Sequence, residues 1–153
     1  MVRNEEIGGV STSKTPKKLS MNVPSKTENL SAVRDFISDA ARGFGFADDD
    51  VSNIALAVDE ACTNIIKHAY NFDASKEISV VVRMKSPEFE ILIADKGKHF
   101  EPEKVAMPDM NEYLTKYKRG GLGMLLMRKL MDKVEYRIQP SRNVVRLVKY
   151  LST

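Results

Sequence analysis

Apolar positions along this chain switch between two periods, and the switches mark out its elements. Lys18 to Val23 alternates and predicts a strand ending at Pro24. From Leu30 the repeat lengthens to helical spacing through Val33, Phe36, Ile37 and Ala40. Ser25 or Thr27 is placed to cap that helix, and Gly43 and Gly45 to stop it. Asp48, Asp49 and Asp50 then open a second helix, where carboxylates cap free N–H groups and suit the positive end of the dipole. An acidic metal site is the rival reading of that trio. Period two returns in Glu77–Lys85 and Glu88–Asp95, two strands joined by a short turn at Ser86 and Pro87. Residues 96–119, with Gly97, Pro102 and Pro108, are irregular and long for a connection inside a domain, which predicts a lid over a site. A helix over Gly121–Met131 follows, with Leu122, Leu125, Leu126 and Leu130 inward. Val134–Ile138 and Val144–Leu151 close the chain as a hairpin around residues 140–143.

Helices set among hairpin-linked strands predict an α+β fold: a two-layer α/β sandwich, its sheet mixed but mostly antiparallel, with helices on one face. Residues 1–16, polar and broken by Gly8, Gly9 and Pro16, are expected to be a flexible tail, leaving 17–153 as one domain.

Composition narrows the function classes. Hydrophobic residues make up 42% and charged residues 29% of 153, ordinary for a soluble globular domain with a sizeable core. The net charge of +3 is spread over interleaved acids and bases, so nucleic acid is not an expected partner. No apolar run reaches the roughly 20 residues of a membrane helix, and no signal-peptide core begins the chain. The one cysteine, Cys62, precludes an intrachain disulfide and reads as a buried core thiol, so the expected location is the cytoplasm.

The chemistry concentrates in three segments. Asp59 to Tyr70 (DEACTNIIKHAY) places Glu60, Asn64 and His68 four residues apart among Ile54, Ala57, Val58, Ala61, Cys62, Ile65, Ile66 and Ala69. Four residues advance about 40° on an α-helix, so the three polar groups share a face. A carboxylate and an amide on a largely buried helix call for a bound ion or ligand. Asn64 offers the oxygen donor that Mg²⁺ prefers, Glu60 can accept a proton from an attacking hydroxyl, and Lys67 can reach a phosphate from the same side. A structural role within the helix packing is the simpler reading of His68. Second, DKGKHF (95–100) puts Asp95 at the carboxyl end of an apolar strand, able to accept from an exocyclic amine such as that of adenine, while Gly97 lets backbone approach a flat base. Third, in RGGLGMLLMRKLMD (119–132), Gly120, Gly121 and Gly123 lead into a helix whose free N–H groups bind phosphate.

These segments, in this order, resemble the ATPase domain shared by gyrase, MutL, heat-shock chaperones and sensor histidine kinases (the Bergerat-type, or GHKL, fold). Within that superfamily the chain is similar to the small anti-sigma factor serine/threonine kinases of bacteria. The similarity covers about residues 18–151. Residues 59–70 match the asparagine box, 95–100 the first glycine box and 119–136 the second. The resemblance implies ATP and Mg²⁺ as cofactors, with Asn64 as metal ligand, Glu60 as catalytic base and Asp95 on the adenine amine. Arg119, Gly120, Gly121, Leu122 and Gly123 would wrap the phosphates, and Lys67, His68 and Gly97 complete the nucleotide-binding set. It further implies a STAS-domain anti-anti-sigma protein as substrate, a sigma factor or similar output protein as a second ligand, and a homodimer as one allowed state. The first glycine box often has a second glycine where this chain has His99. Two alternatives stay open. A detached histidine-kinase domain would need a phospho-accepting hairpin, and a non-catalytic ATP-sensing module would need Asn64 and Asp95 but no base.

Overall fold

The computed structural model describes residues 2–6, 16–97 and 120–152. Six strands form one sheet in the order β1-β2-β3-β4-β6-β5: β1 Val2–Glu6, β2 Lys17–Pro24, β3 Glu77–Lys85, β4 Glu88–Asp95, β5 Lys133–Ile138 and β6 Asn143–Tyr150. Each pairing is antiparallel, which corrects the expected mixed sheet. Hairpin turns at 86–87 and 139–142 and the two-helix excursion between β2 and β3 all return the chain antiparallel, so no parallel pair arises among the described residues. β1 lies inside the stretch expected to be a tail. Its backbone pairs with β2 from Val2↔Met21 to Glu6↔Lys17.

Alternation sorts the strands into two faces. Met21, Val80, Ile93 and Val145 face one another in register, and Leu19, Val82, Ile91 and Leu147 form the next row. These rows, with Ile78 and Phe89, pack under the helices α1 (Leu30–Phe44), α2 (Asp48–Asn64) and α3 (Gly120–Leu130) to make the core. The opposite face carries an ion network. Arg146, with 14% of its side chain exposed, donates to Glu90 and, at 3.0 Å each, to Glu88 and Glu135. Arg83 approaches Glu90 at 3.7 Å.

Helix ends depart from the sequence reading. Neither Ser25 nor Thr27 caps α1. A short 3₁₀ turn over Thr27–Asn29 precedes it, and the Ser25 hydroxyl is buried without a hydrogen-bond partner in the structure. Ala47, not an aspartate, holds the cap position of α2, and Asp48, Asp49 and Asp50 occupy its first turn, where they complement the dipole without capping. Gly45 ends α1 as expected, with φ 117°, a left-handed conformation that glycine adopts freely. The inner face of α3 is carried by Met124 and Met127, with Met131 buried just past its end, rather than by its leucines, which are half-buried where described. That helix is apolar nearly all round, so periodicity alone could not choose its face.

Candidate functional site

The site is organised by the last turns of α2. Val51, Ile54, Val58, Ala61 and Cys62 bury one side of this helix and fix its rotation, leaving Glu60 and Asn64 half-buried one turn apart. α-Helical spacing ends there. Residues Ile65–Ala69 widen into a π turn, closed by Tyr70 N–H donating to the Ile65 carbonyl at 2.9 Å. A wider turn advances less per residue, so His68 falls behind the line through Glu60 and Asn64. His68 and Lys67 are both exposed, whereas Glu60 and Asn64 are half-buried.

Two glycines press against this helix, one near each end of the segment. At the upper end, a Cβ placed on Gly123 would fall 2.6 Å from Glu60 Oε2, so the bare Cα of the glycine-led helix α3 is what admits the carboxylate. Burial holds the Glu60 carboxyl above its ordinary range, with the neighbouring charge of Asp59 adding to the effect and Lys67 opposing it. At the lower end, a Cβ on Gly97 would lie 2.4 Å from the Ala69 carbonyl oxygen and 2.9 Å from Tyr70 Cδ1. Gly97 is therefore required by close backbone approach to the π turn. Asn64 sits between the two contacts.

Asp95, only 6% exposed, ends β4 beside Gly97. Its Oδ1 accepts from Gly97 N–H at 2.9 Å and from Asn143 Nδ2 at 3.0 Å, while Asn143 Nδ2 also reaches the Gly97 carbonyl at 3.3 Å. The Tyr70 hydroxyl accepts from Lys96 N–H at 2.8 Å and donates to the Glu77 carbonyl at 2.6 Å. Burial pushes the Tyr70 phenol up and keeps that donor protonated. The first glycine segment is thus tied to β6 through Asn143 and to β3 through Tyr70.

The structure brings Glu60 to Gly123 and Asp95 to Gly97, both along the helix that carries Asn64. The backbones of Gly120, Gly121 and Leu122 form the start of α3. Arg119, His99 and the expected lid lie outside the described residues. Sequence reasoning missed Asn143 and the anchoring role of Tyr70. Asn143 pairs with Asp95 in the β4–β6 register, and a hairpin read as starting one residue later conceals that pairing.

Comparison with known proteins identifies the family and the fold. Residues 23–149 match the family model described as the histidine kinase-like ATPase domain. The chain is 35% identical over 123 residues to the serine-protein kinase RsbW of Bacillus cereus (strain ATCC 10987 / NRS 248), covering 78% of this chain and 76% of that one. It is 34% identical over 140 residues to RsbW of Halalkalibacterium halodurans, covering 89% and 85%. Among solved structures, the RsbU and RsbW domains of Rv1364c from Mycobacterium tuberculosis superpose with a TM-score of 0.64 at 15% identity, over 89% of this chain and 33% of that one. The SiaB–SiaC complex from Pseudomonas aeruginosa gives 0.57 at 12% identity, over 86% and 89%. At these identities the structural matches establish the fold.

Proposed function

The chain belongs to the histidine kinase-like ATPase family and, within it, to the RsbW-type serine-protein kinases, and from that premise we propose how its residues transfer phosphate and to what. The observation that carries the reading is the approach of Glu60 Oε2 to Gly123, within 2.6 Å of where a Cβ would stand, which joins a candidate base to a glycine-led helix start.

In this reading the free N–H groups of Gly120, Gly121 and Leu122 hold the terminal phosphates of ATP, and Asp95 takes the adenine amine. Glu60 accepts the proton of an incoming seryl or threonyl hydroxyl. The hydroxyl oxygen bonds to the γ-phosphorus, the bond from that phosphorus to the bridging oxygen breaks, and ADP leaves. Glu60 then releases its proton to water. A carboxyl held above its usual range is the better proton acceptor for this step. Positioning and electrostatics supply most of the acceleration in phosphoryl transfer.

Magnesium fits the residues present. Among the described residues no three His, Cys, Asp or Glu side chains gather into a metal cage. Mg²⁺ keeps waters and phosphate oxygens and needs only one or two protein oxygens, a demand that the half-buried Asn64 amide, which makes no capping bond, suits. When bound there the ion neutralises phosphate charge.

The proposed protein substrate is a small STAS-domain anti-anti-sigma protein, the proposed second ligand a sigma factor or similar output protein, and the proposed location the cytoplasm. Among the described residues no helix is long and apolar enough to cross a membrane. The test is transfer from γ-labelled ATP with Mg²⁺ to proteins of a host lysate, wild type against Glu60→Gln. Acid-stable label on one small protein, seen only with wild type, supports the reading. Acid-labile label, or equal labelling by the variant, refutes it.

A further inference from the structure

α1 and α2 lie side by side, and an ion pair joins them one residue before the candidate base. Arg34 Nη1 donates to Asp59 Oδ1 at 2.7 Å, with 45% of the arginine and 25% of the aspartate side chain exposed. So exposed a pair adds little to stability. Its position matters more. Successive side chains on a helix diverge by about 100°, so Asp59 turns to α1 while Glu60 turns to Gly123 of α3.

The charged groups around Glu60 are few. Its own helix supplies Asp59, the π turn that follows supplies Lys67, and α1 supplies Arg34 through Asp59. α3 presents Gly123 there and carries its described charges, Arg128 and Lys129, in its last turn. Asp59 is the one negative neighbour that resists ionisation of Glu60 among the described residues. An unpaired aspartate would keep its full charge beside Glu60, whereas the paired one is held against α1 with a cation on it.

We propose that Arg34 is a positioning residue for phosphotransfer, gripping Asp59 so that its carboxylate is both turned away from and neutralised beside the base. This rests on Glu60 being that base. Loss of Arg34 leaves Asp59 uncompensated, whereas loss of Asp59 removes the opposing charge altogether. The two substitutions therefore act in opposite directions on Glu60, a signature that a merely structural pair lacks.

The experiment is a ¹³C-carboxylate NMR titration of Glu60 in the intact chain, with the pH profile of phosphotransfer recorded alongside. Arg34→Gln should raise the Glu60 midpoint by a few tenths of a pH unit, the scale of one partly screened charge nearby, and Asp59→Asn should lower it by a similar amount. The double variant should titrate like Asp59→Asn, and Arg34→Lys should stay near wild type. The acid limb of the activity profile should move with each midpoint. Unmoved midpoints, or shifts of the same sign in both single variants, overturn the proposal. Full activity of Glu60→Gln would instead remove the base assignment while leaving the NMR comparison intact.

Discussion

Gly97→Ala tests whether the nucleotide end of the site is built by backbone contact. The added methyl would sit 2.4 Å from the Ala69 oxygen, 2.7 Å from the Ala69 carbonyl carbon and 2.9 Å from Tyr70 Cδ1. Two of those atoms are main chain in the π turn, and the third belongs to a ring fixed by hydrogen bonds to Lys96 and Glu77. None can rotate away. Restoring ordinary contact at 3.4 Å or beyond demands a separation of about 1 Å between the segment that follows β4 and the end of the π turn. Overpacking of this kind costs roughly 1–3 kcal/mol, and at about 2–4 °C per kcal/mol for a fold of this size the midpoint of thermal unfolding should fall by about 2–12 °C. The same displacement stretches the Gly97 N–H bond to Asp95 and the Lys96 N–H bond to Tyr70, so ATP affinity should drop about tenfold or more, equivalent to roughly 1.4 kcal/mol. Thermal unfolding and titration with a fluorescent ATP analogue read the two effects. An alanine variant that melts within a degree of wild type and binds the analogue equally well would refute the argument.

Gly123→Ala should behave differently, because its new methyl meets the tip of the Glu60 side chain, which can swing aside. Its unfolding midpoint should stay near wild type while the rate of phosphotransfer falls at saturating ATP. Asn143→Ala removes a hydrogen bond to the Asp95 carboxylate, worth about 1.5–3 kcal/mol, and should weaken ATP binding with the rate at saturation largely kept. Arg146→Ala leaves Glu88, Glu90 and Glu135 facing one another, and chemical denaturation should show a loss of about 2–4 kcal/mol, somewhat below that of a fully buried pair. Glu60 has a folded pKa above its ordinary 4.5, so its charged form is disfavoured by folding. No penalty exists below the unfolded value, where both states hold the proton, and the full penalty applies above the folded one. Glu60→Gln should therefore melt higher than wild type near about pH 7, and the gap should close as pH falls toward about 4.

The parts of this fold legible in the sequence are those where one face is buried and the other is not. β3 and β4 alternate strictly, and Val80, Val82, Ile91 and Ile93 fall inward as their spacing implies. α1 is equally plain, with Leu30, Val33, Ile37 and Ala40 on one stripe. Legibility fails where a segment is apolar all round, as in α3, or where backbone hydrogen bonding changes type without a change in residue pattern. The π turn at Ile65–Ala69 is the clearest instance. The sequence there reads as uninterrupted helix, and only the Tyr70 to Ile65 and Phe72 to Ile66 hydrogen bonds show that it widens.

That widening is also what makes the site intelligible as one object. An α-helix continued through His68 would have spread three polar groups along one face and left their purpose ambiguous. The π turn instead presents the Ala69 carbonyl and the Tyr70 ring to Gly97. Tyr70 is then placed to fix both Lys96 and Glu77, so the strand end that carries Asp95 takes its position from the helix that carries Glu60 and Asn64. The strand end proposed for base recognition is thus tied to the helix proposed for proton transfer, with backbone closing on Gly97 at one end and the movable tip of Glu60 lying over Gly123 at the other. It follows that the two glycines should divide the labour of the site: loss of Gly97 is expected to perturb fold and nucleotide binding together, and loss of Gly123 to perturb phosphotransfer alone.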